Sequence, residues 1–264
     1  PEEEIVPEVP GMTDRIDPEG NTLETRIRTP KGYVRTKAEK DSFMAFLRDY
    51  GLKPDRSPVL LYDGTEKGDQ SSHVAIFTLP LEEVDLQQCA DSVMRMYAEY
   101  YWHRGEYDKI RFHFVSGFLA EYEKWREGWR IKVKGNDVSW TKSASFDDSY
   151  ASFQSYMRMV FTYASTLSMA AEAEEIALDE AAVGDVFLKG GSPGHVVMIV
   201  DECVDQEGKK AFLLAQGYMP AQEFHVLNNF LHGEDPWYYE EEIQYPFVTP
   251  GYVFDEGSLV RLVY

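Results

Sequence analysis

Cys89, His195 and Gln216 are the residues whose types and positions could together do chemistry. His195 follows the glycine-rich stretch GGSPG and begins the apolar run HVVMIVDECV. An ionisable side chain is unusual at the start of such an apolar run and suggests a function. Gln216 closes the run KAFLLAQG. An imidazole can take the proton of a thiol, and an amide side chain can fix the tautomer and direction of that imidazole. The three residue types therefore predict a cysteine nucleophile with its base and an orienting partner.

The runs that carry His195 and Gln216 are expected to pair as a β-hairpin, because the turn sequence DQEG separates them. If residues 204 and 209 pair, Gln216 is the diagonal neighbour of His195 on the same face, and a loop shifted by one residue places it directly opposite. Such cross-strand neighbours lie within roughly 4.5 to 8 Å of each other. A register slip of odd parity would instead move Gln216 to the other face of the sheet.

Cys89 is the better placed of the two cysteines. It begins an apolar stripe on the helix predicted over 84–102, with Asp85 as the predicted N-cap, and a helix N-terminus favours a thiolate. Cys203 follows His195 by eight residues in the same predicted strand, which places it about 26 Å away at roughly 3.3 Å per residue. The cysteine count equally fits one disulfide, two free thiols, or one functional thiol and one bystander, and a buried core thiol is the alternative for Cys89.

Several stretches around these residues resemble known families. The helix with Cys89, the run GDVFL, the glycine-preceded HVVMIV and a strand that ends in a polar residue resemble the NlpC-type, papain-like cysteine peptidases, and AQGYM is similar to the related CHAP amidases. This resemblance implies that Cys89 is the nucleophile, His195 the general base and acid, and Gln216 the orienting third residue. The sequence departs from those enzymes at QQCAD, where they usually place an aspartate before the cysteine and small residues after it. With Asp85 as the cap, the backbone N–H of Cys89 would already be bonded inside the helix, which puts its part in an oxyanion site in question.

The stretches DLQQCADSVMR, VKGNDVSW, GDVFLKGGSPGHVVMIVD and LLAQGYMPAQEFHVL carry a closer resemblance. They resemble a bacterial family, largely from Bacteroidetes, that is catalogued as domain of unknown function 4846. This resemblance covers most of the chain past residue 35 and implies no activity.

The order of predicted elements indicates an α+β fold. Helical patterns occur at 37–50, at 84–102 and in a second long helix whose buried stripe runs from Tyr150 to Leu167. After residue 183, the runs GDVFL, HVVMIVDECV, KAFLLAQG, QEFHVLN and SLVRLVY predict an antiparallel sheet packed on the Cys89 helix. With the resemblance, this predicts one papain-like domain over 21–264, with an N-terminal extension and a helical insertion between the Cys89 helix and the His195 sheet. Residues 1–20 are acidic and proline-rich and predict a flexible spacer.

The composition limits the partners. The 264 residues include 26 Lys and Arg against 46 Asp and Glu, a formal charge of −20, so nucleic acids and anionic membranes would be repelled. No apolar run approaches the roughly 18 residues that span a bilayer. The histidines other than His195 show no metal-ligand spacing, so neither a metal nor a cofactor is expected. The acidic spacer suits an exported protein, periplasmic or at the cell surface, that is held by a lipid upstream of Pro1.

The sequence and the resemblance thus predict hydrolysis of an amide bond, in a cell-wall peptide or another glycopeptide, through a thioester on Cys89. The rival hypothesis is a non-catalytic module of the same fold that binds a peptide or glycan at the cell surface. A Cys89 sulfur beside the imidazole of His195 favours the enzyme. A cysteine sealed in the core, or joined to Cys203 by a disulfide, favours the module.

Overall fold

The computed structural model describes residues 15–233 and 235–264. Of the predicted spacer, residues 1–14 lie outside the described residues, whereas Ile16 bridges Ile27 and Arg15 forms an ion pair with Asp235. The helices are α1 (Leu23–Arg26), α2 (Phe43–Arg48), α3 (Cys89–Arg104), α4 (Tyr122–Arg126), α5 (Tyr150–Tyr163) and α6 (Thr166–Glu172). The strands are β1 (Val34–Arg35), β2 (His73–Ile76), β3 (Arg111–His113), β4 (Leu119–Glu121), β5 (Trp129–Lys134), β6 (Asp137–Lys142), β7 (Glu174–Glu175), β8 (Val186–Lys189), β9 (His195–Val204), β10 (Lys210–Gln216), β11 (His225–Leu227), β12 (Tyr238–Tyr239), β13 (Phe247–Thr249), β14 (Tyr252–Phe254) and β15 (Leu259–Arg261).

Serine caps determine where several helices begin. Ser42 and Ser149 cap α2 and α5, and the side chain of each accepts an N–H of the first turn. The prediction of one long helix up to Leu167 is wrong. The backbone becomes extended at Ala164, and Ser165 then caps the separate helix α6. Leu167 consequently lies on the surface rather than in the buried stripe.

A nine-stranded antiparallel sheet lies at the centre of the described chain. Its strands follow the order β2-β11-β10-β9-β8-β15-β7, with β1 added to β9 and β12 added to β10. Alternate residues of β9 enter two cores. Val196 and Met198 face the cluster that includes α3, whereas Val197 and Ile199 face a second cluster that includes Phe254. The predicted α+β class, with an antiparallel sheet packed on the Cys89 helix, is therefore confirmed.

The turn between β9 and β10 is one residue longer than predicted. Val204 pairs with Lys210 and not with Lys209, so the predicted pairing is wrong at this end of the hairpin. The carboxylate of Asp205 accepts the N–H groups of Glu207 and Lys209 and so stabilises the longer turn. If this register continued without interruption, Gln216 would lie on the opposite face of the sheet from His195.

A β-bulge at Val200 restores the shared face. Two successive residues of β10 pair with Asp201 and then with Ile199, so Val200 is the extra residue of β9. Beyond the bulge, the register places Gln216 opposite Val197, on the face to which His195 also points. The longer turn and the bulge each add one residue, on opposite sides of the pairing, and their effects cancel at the site.

The hairpin of β13 and β14 covers the end of the sheet where His195 lies. Its strands pair antiparallel around the turn that contains Pro250 and Gly251. The aromatic rings of Phe247 and Phe254 contact Phe187 of β8, with ring centroids 4.6 and 6.0 Å apart. This packing holds the turn of the hairpin above the first residue of β9.

Candidate functional site

His195 and Gln216 lie in contact across the β9–β10 hairpin. The ring Nε2 of His195 is 2.7 Å from Oε1 of Gln216, and both side chains are buried. The amide nitrogen of Gln216 donates to the carbonyl of Pro250 at 3.3 Å. Because a carbonyl only accepts hydrogen bonds, this contact turns the amide oxygen of Gln216 toward the imidazole. Nε2 of His195 therefore carries the proton, and Nδ1 presents a lone pair that can accept one.

Aromatic side chains enclose the imidazole of His195. Its ring centroid lies 4.8 Å from that of Tyr218, 5.0 Å from that of Tyr252 and 6.1 Å from that of Phe254. Burial lowers the pKa of His195 to about 4, although the hydrogen bond to Gln216 acts in the opposite direction. The imidazole is therefore neutral at pH 7, which is the state in which Nδ1 can act as a base.

Cys89 is the first residue of α3, and Gln88 rather than Asp85 is the N-cap. The prediction of Asp85 as the cap is wrong because its carboxylate instead accepts the backbone N–H of Ala221 at 2.7 Å, in the loop that follows β10. The first residues of a helix have N–H groups without an acceptor inside the helix. The backbone N–H of Cys89 is thus one of the donors that can serve an oxyanion, which a cap at Asp85 would have prevented.

The sulfur of Cys89 lies against the beginning of β9. Burial, followed by the charge of Asp91, raises the pKa of the thiol to about 11, although the backbone N–H groups of Ala90 and Val196 point to the sulfur and lower the pKa. The expectation of a thiolate at this helix N-terminus is therefore not met. Cys89 is a neutral thiol at pH 7.

The structure places Cys89 beside the strand of His195, and the described residues show no hydrogen bond from its sulfur to the imidazole. Val196 faces α3, whereas the ring of His195 points to the opposite face and packs against Phe254. Within residues 15–233 and 235–264, the imidazole is hydrogen-bonded to Gln216 and not to Cys89. The sulfur is still close enough that its charge, once the thiol has lost its proton, raises the pKa of Tyr218 and Tyr252, whose rings enclose His195. These tyrosines thus lie beside both the sulfur and the imidazole.

Gly217 allows the end of β10 to approach the beginning of α3. A Cβ atom at this position would lie 2.6 Å from Oγ of Ser92 and 3.0 Å from the carbonyl oxygen of Gln88. A larger residue would push the N-terminus of α3 away from the sheet. The lack of a side chain at Gly217 therefore allows Cys89 to lie beside Val196.

Sequence reasoning missed the hairpin that holds Gln216. The backbone carbonyl of Pro250 accepts the amide N–H of Gln216. The hydroxyl of Tyr252 donates to the carbonyl of Pro193, which precedes it by 59 residues and lies in the turn before His195. The proline–glycine pair at Pro250 and Gly251 is a turn signal that could have identified the hairpin. Its position over His195 depends on contacts far apart in the chain, and no local pattern encodes these.

Cys203 takes no part in the site. It is fully buried in the core that includes α3, and both cysteines are free, so the alternative of one disulfide is wrong. Burial raises the pKa of the Cys203 thiol well above its ordinary value. Cys89, by contrast, is partly exposed.

The described residues contain neither a helix that could span a membrane nor a cluster of metal-ligating side chains. In the part of the chain that the structure describes, no helix is both long and apolar enough to cross a membrane. Among these same residues, no three His, Cys, Asp or Glu side chains form a group that could hold a metal ion.

Asp91 offers a test of the electrostatics around Cys89. One of its carboxylate oxygens accepts the N–H of Gln88, the other is buried without a partner, and burial raises its pKa from 3.8 to about 8. A carboxyl whose pKa is raised by folding contributes stability that is present below pH 4 and lost as the pH rises through 8. In Asp91→Asn, the side-chain oxygen still accepts the N–H of Gln88, but the side chain does not ionise, so this pH-dependent loss of stability is absent. We therefore expect the variant to gain stability relative to the native protein between pH 4 and pH 8.

Thermal unfolding of the two proteins at pH 4, 6 and 8 measures this difference. Asp148→Asn is the control, because the side chain of Asp148 is 62% exposed. Parallel curves for Asp91→Asn and the native protein over the whole range would contradict a buried, protonated Asp91.

Comparisons with known proteins show where the chain belongs. Neither the curated proteins nor the solved structures contain a match to it. A family model matches residues 23–261, which include both Cys89 and the His195–Gln216 hairpin. The chain therefore belongs to the family described as a domain of unknown function (4846).

Proposed function

We propose that this protein hydrolyses an amide bond of a peptide or glycopeptide through a thioester on Cys89. His195 serves as base and then acid, and Gln216 orients its imidazole. The fixed tautomer of His195 carries the proposal, because the contacts from Pro250 through Gln216 leave a lone pair on Nδ1. The resemblance of these segments to NlpC-type, papain-like peptidases supports the same three roles.

The reaction begins with the proton of the Cys89 thiol. Nδ1 of His195 takes this proton as the sulfur forms a bond to the carbonyl carbon, and the backbone N–H of Cys89 donates to the oxyanion. The imidazolium then protonates the amide nitrogen, the C–N bond breaks and the amine leaves. Water attacks the remaining thioester while His195 takes one of its protons. The C–S bond breaks, the carboxylic acid leaves, and the sulfur recovers its proton from the imidazolium.

The resting site pairs a neutral thiol with a neutral imidazole. The pKa of Cys89 is about 11 and that of His195 is about 4, so no proton passes between them before substrate binds. Proton transfer therefore accompanies the attack of the sulfur. The sulfur has to turn from the N–H of Val196 toward Nδ1, and catalytic hydrogen bonds of this kind are often long until substrate is bound.

Alkylation of the native protein with iodoacetamide tests the pairing of Cys89 with His195. We expect Cys89 to react faster than Cys203, because Cys89 is partly exposed and Cys203 is buried. His195→Ala should slow the reaction of Cys89 about tenfold, because the base is lost. His103→Ala is the control, since His103 lies at the far end of α3 with a side chain that is 57% exposed. Peptide mapping by mass spectrometry measures both cysteines, and equal, slow modification of the two would contradict the proposal.

Incubation with purified cell-wall fragments tests the reaction itself. Native protein is expected to release new amino and carboxyl termini, and Cys89→Ala is expected to release none. Mass spectrometry of the products identifies the bond. Cleavage that persists in Cys89→Ala would exclude the thioester route.

A non-catalytic module that binds a peptide or glycan is the second candidate. The raised pKa of Cys89, and an imidazole bonded to Gln216 rather than to the sulfur within the described residues, favour it. The two candidates differ in their dependence on the thiol. Equal affinity of native protein and Cys89→Ala for the same fragments, with no product from either, would support the module.

A further inference from the structure

A separate pocket lies between β13 and the segments 229–231, 238–239 and 242–244. It has a volume of about 280 Å³, roughly twice that of an engineered cavity that binds benzene. Its apolar lining is formed by Phe230, Leu231, Tyr238, Ile243, Phe247 and Val248. We call this space the apolar pocket.

The buried polar groups in the lining are already bonded to the protein, whereas Glu242 and Gln244 are exposed. The amide of Asn229 donates to the carbonyl of Trp237 and accepts the N–H of Leu231. The hydroxyls of Tyr238 and Thr249 donate to backbone carbonyls. A ligand would therefore find apolar surface here, and burial of its own apolar groups would supply the binding energy.

The apolar pocket and His195 share one wall. Pro250 lines the pocket, and its carbonyl accepts the amide of Gln216 at 3.3 Å. Gln216 in turn lies 2.7 Å from the imidazole of His195. The path from the carbonyl of Pro250 to the imidazole thus consists of two hydrogen bonds with the side-chain amide of Gln216 between them. An extended peptide advances roughly 3.3 to 3.6 Å per residue, so two or three residues cover this separation.

The exposed rim and the acidic surroundings of the apolar pocket favour a peptide side chain over a lipid chain. The apolar rim is open to solvent, since Leu231 is 78% exposed and Val248 is 65% exposed. Glu242 is one of its lining residues and follows Glu240 and Glu241 in a short 3-10 helix, in a chain of formal charge −20. Acidic surroundings of this kind repel anionic amphiphiles such as fatty acids and accept neutral or cationic peptides.

We propose that the apolar pocket binds an apolar side chain of the peptide substrate, two or three residues from the bond that Cys89 attacks. The inference rests on the proposed function, because it assigns the pocket to the substrate of that site. It adds a preference for an apolar side chain in the substrate, which Cys89, His195 and Gln216 do not determine by themselves.

Labelling with peptide electrophiles tests the preference. Blocked peptides that end in an acyloxymethyl ketone react with the thiol, and two series differ only in leucine or serine at the second or third residue from the ketone. We expect the leucine series to modify Cys89 about tenfold faster in kinact/KI, because an apolar side chain is buried. The double variant Leu231→Asp, Val248→Asp should remove this ratio. Leu167→Asp is the matched control, because Leu167 is a half-exposed leucine on α6, outside the pocket.

Two further measurements separate failure of the pocket from failure of the proposed function. Equal rates for leucine and serine, in a protein whose alkylation by iodoacetamide still depends on His195, would overturn the pocket alone. If that dependence on His195 is absent, calorimetry with Cys89→Ala and the corresponding peptide amides tests the pocket by binding, and equal affinities would overturn it. A lauroyl ketone that reacts faster than the leucine peptides would assign the pocket to an acyl chain and also overturn the proposal.

Discussion

Replacing Asp201 by asparagine is expected to lower the free energy of unfolding by about 3 to 5 kcal/mol. The carboxylate of Asp201 is fully buried and accepts the guanidinium groups of Arg35 and Arg48, each at 2.7 Å. These arginines are also largely buried. Asparagine removes the negative charge and turns an N–H group toward one arginine, so two cations are left inside the protein without a counter-charge.

Urea denaturation at neutral pH measures this loss. Asp148→Asn is again the matched control, because Asp148 is largely exposed and its ion pair with Arg126 spans 3.9 Å. We expect a change below about 0.5 kcal/mol for this control. A loss below about 1 kcal/mol in Asp201→Asn would show that water or a rearranged side chain compensates the two arginines.

Replacing Gln216 by leucine is expected to slow the alkylation of Cys89 by iodoacetamide by up to about tenfold, which is the loss expected when His195 itself is replaced by alanine. The amide of Gln216 holds the proton of His195 on Nε2, because its oxygen accepts from that atom while its nitrogen donates to Pro250. Leucine removes both contacts. The proton can then move to Nδ1, and the lone pair that should accept the proton of the thiol is lost.

Nitrogen NMR of His195 provides a readout that a purely structural role of Gln216 would not change. The native protein should show an unprotonated Nδ1 and a protonated Nε2, and Gln216→Leu should show a mixture. Gln222→Leu is the matched control, because Gln222 is another buried glutamine, with its amide nitrogen bonded to the carbonyl of Pro220. An unchanged tautomer in Gln216→Leu, together with an unchanged alkylation rate, would exclude the positioning role.

The parts of the site that follow from local patterns could be predicted from the sequence. The helical stripe after Cys89, the strand that begins at His195 and the strand that ends at Gln216 are periodic in the sequence, and the structure contains all three. The contact of His195 with Gln216 was predicted from a register that is wrong at the turn. It is present because the bulge at Val200 adds the residue that the turn displaced.

Other features could not be predicted because they depend on distant parts of the chain. Asp85 has the residue type and spacing of a cap, but its carboxylate is bonded to Ala221, which belongs to the loop after β10. The state of Cys89 likewise depends on burial by the sheet, which outweighs the helix N-terminus. Pro250 determines the tautomer of His195 from the far side of a hairpin that no periodicity connects to the site.

The extra residue at Val200 has a consequence for gaps in alignments of this family. A relative that lacks residue 200 would have a regular ladder between β9 and β10, with the counterparts of His195 and Gln216 still on one face. A relative that lacks one residue between 196 and 199 would turn the histidine toward α3 and lose the contact. Single-residue gaps are therefore expected at position 200 or in the turn 205–209, and gaps elsewhere along the first half of β9 only in pairs.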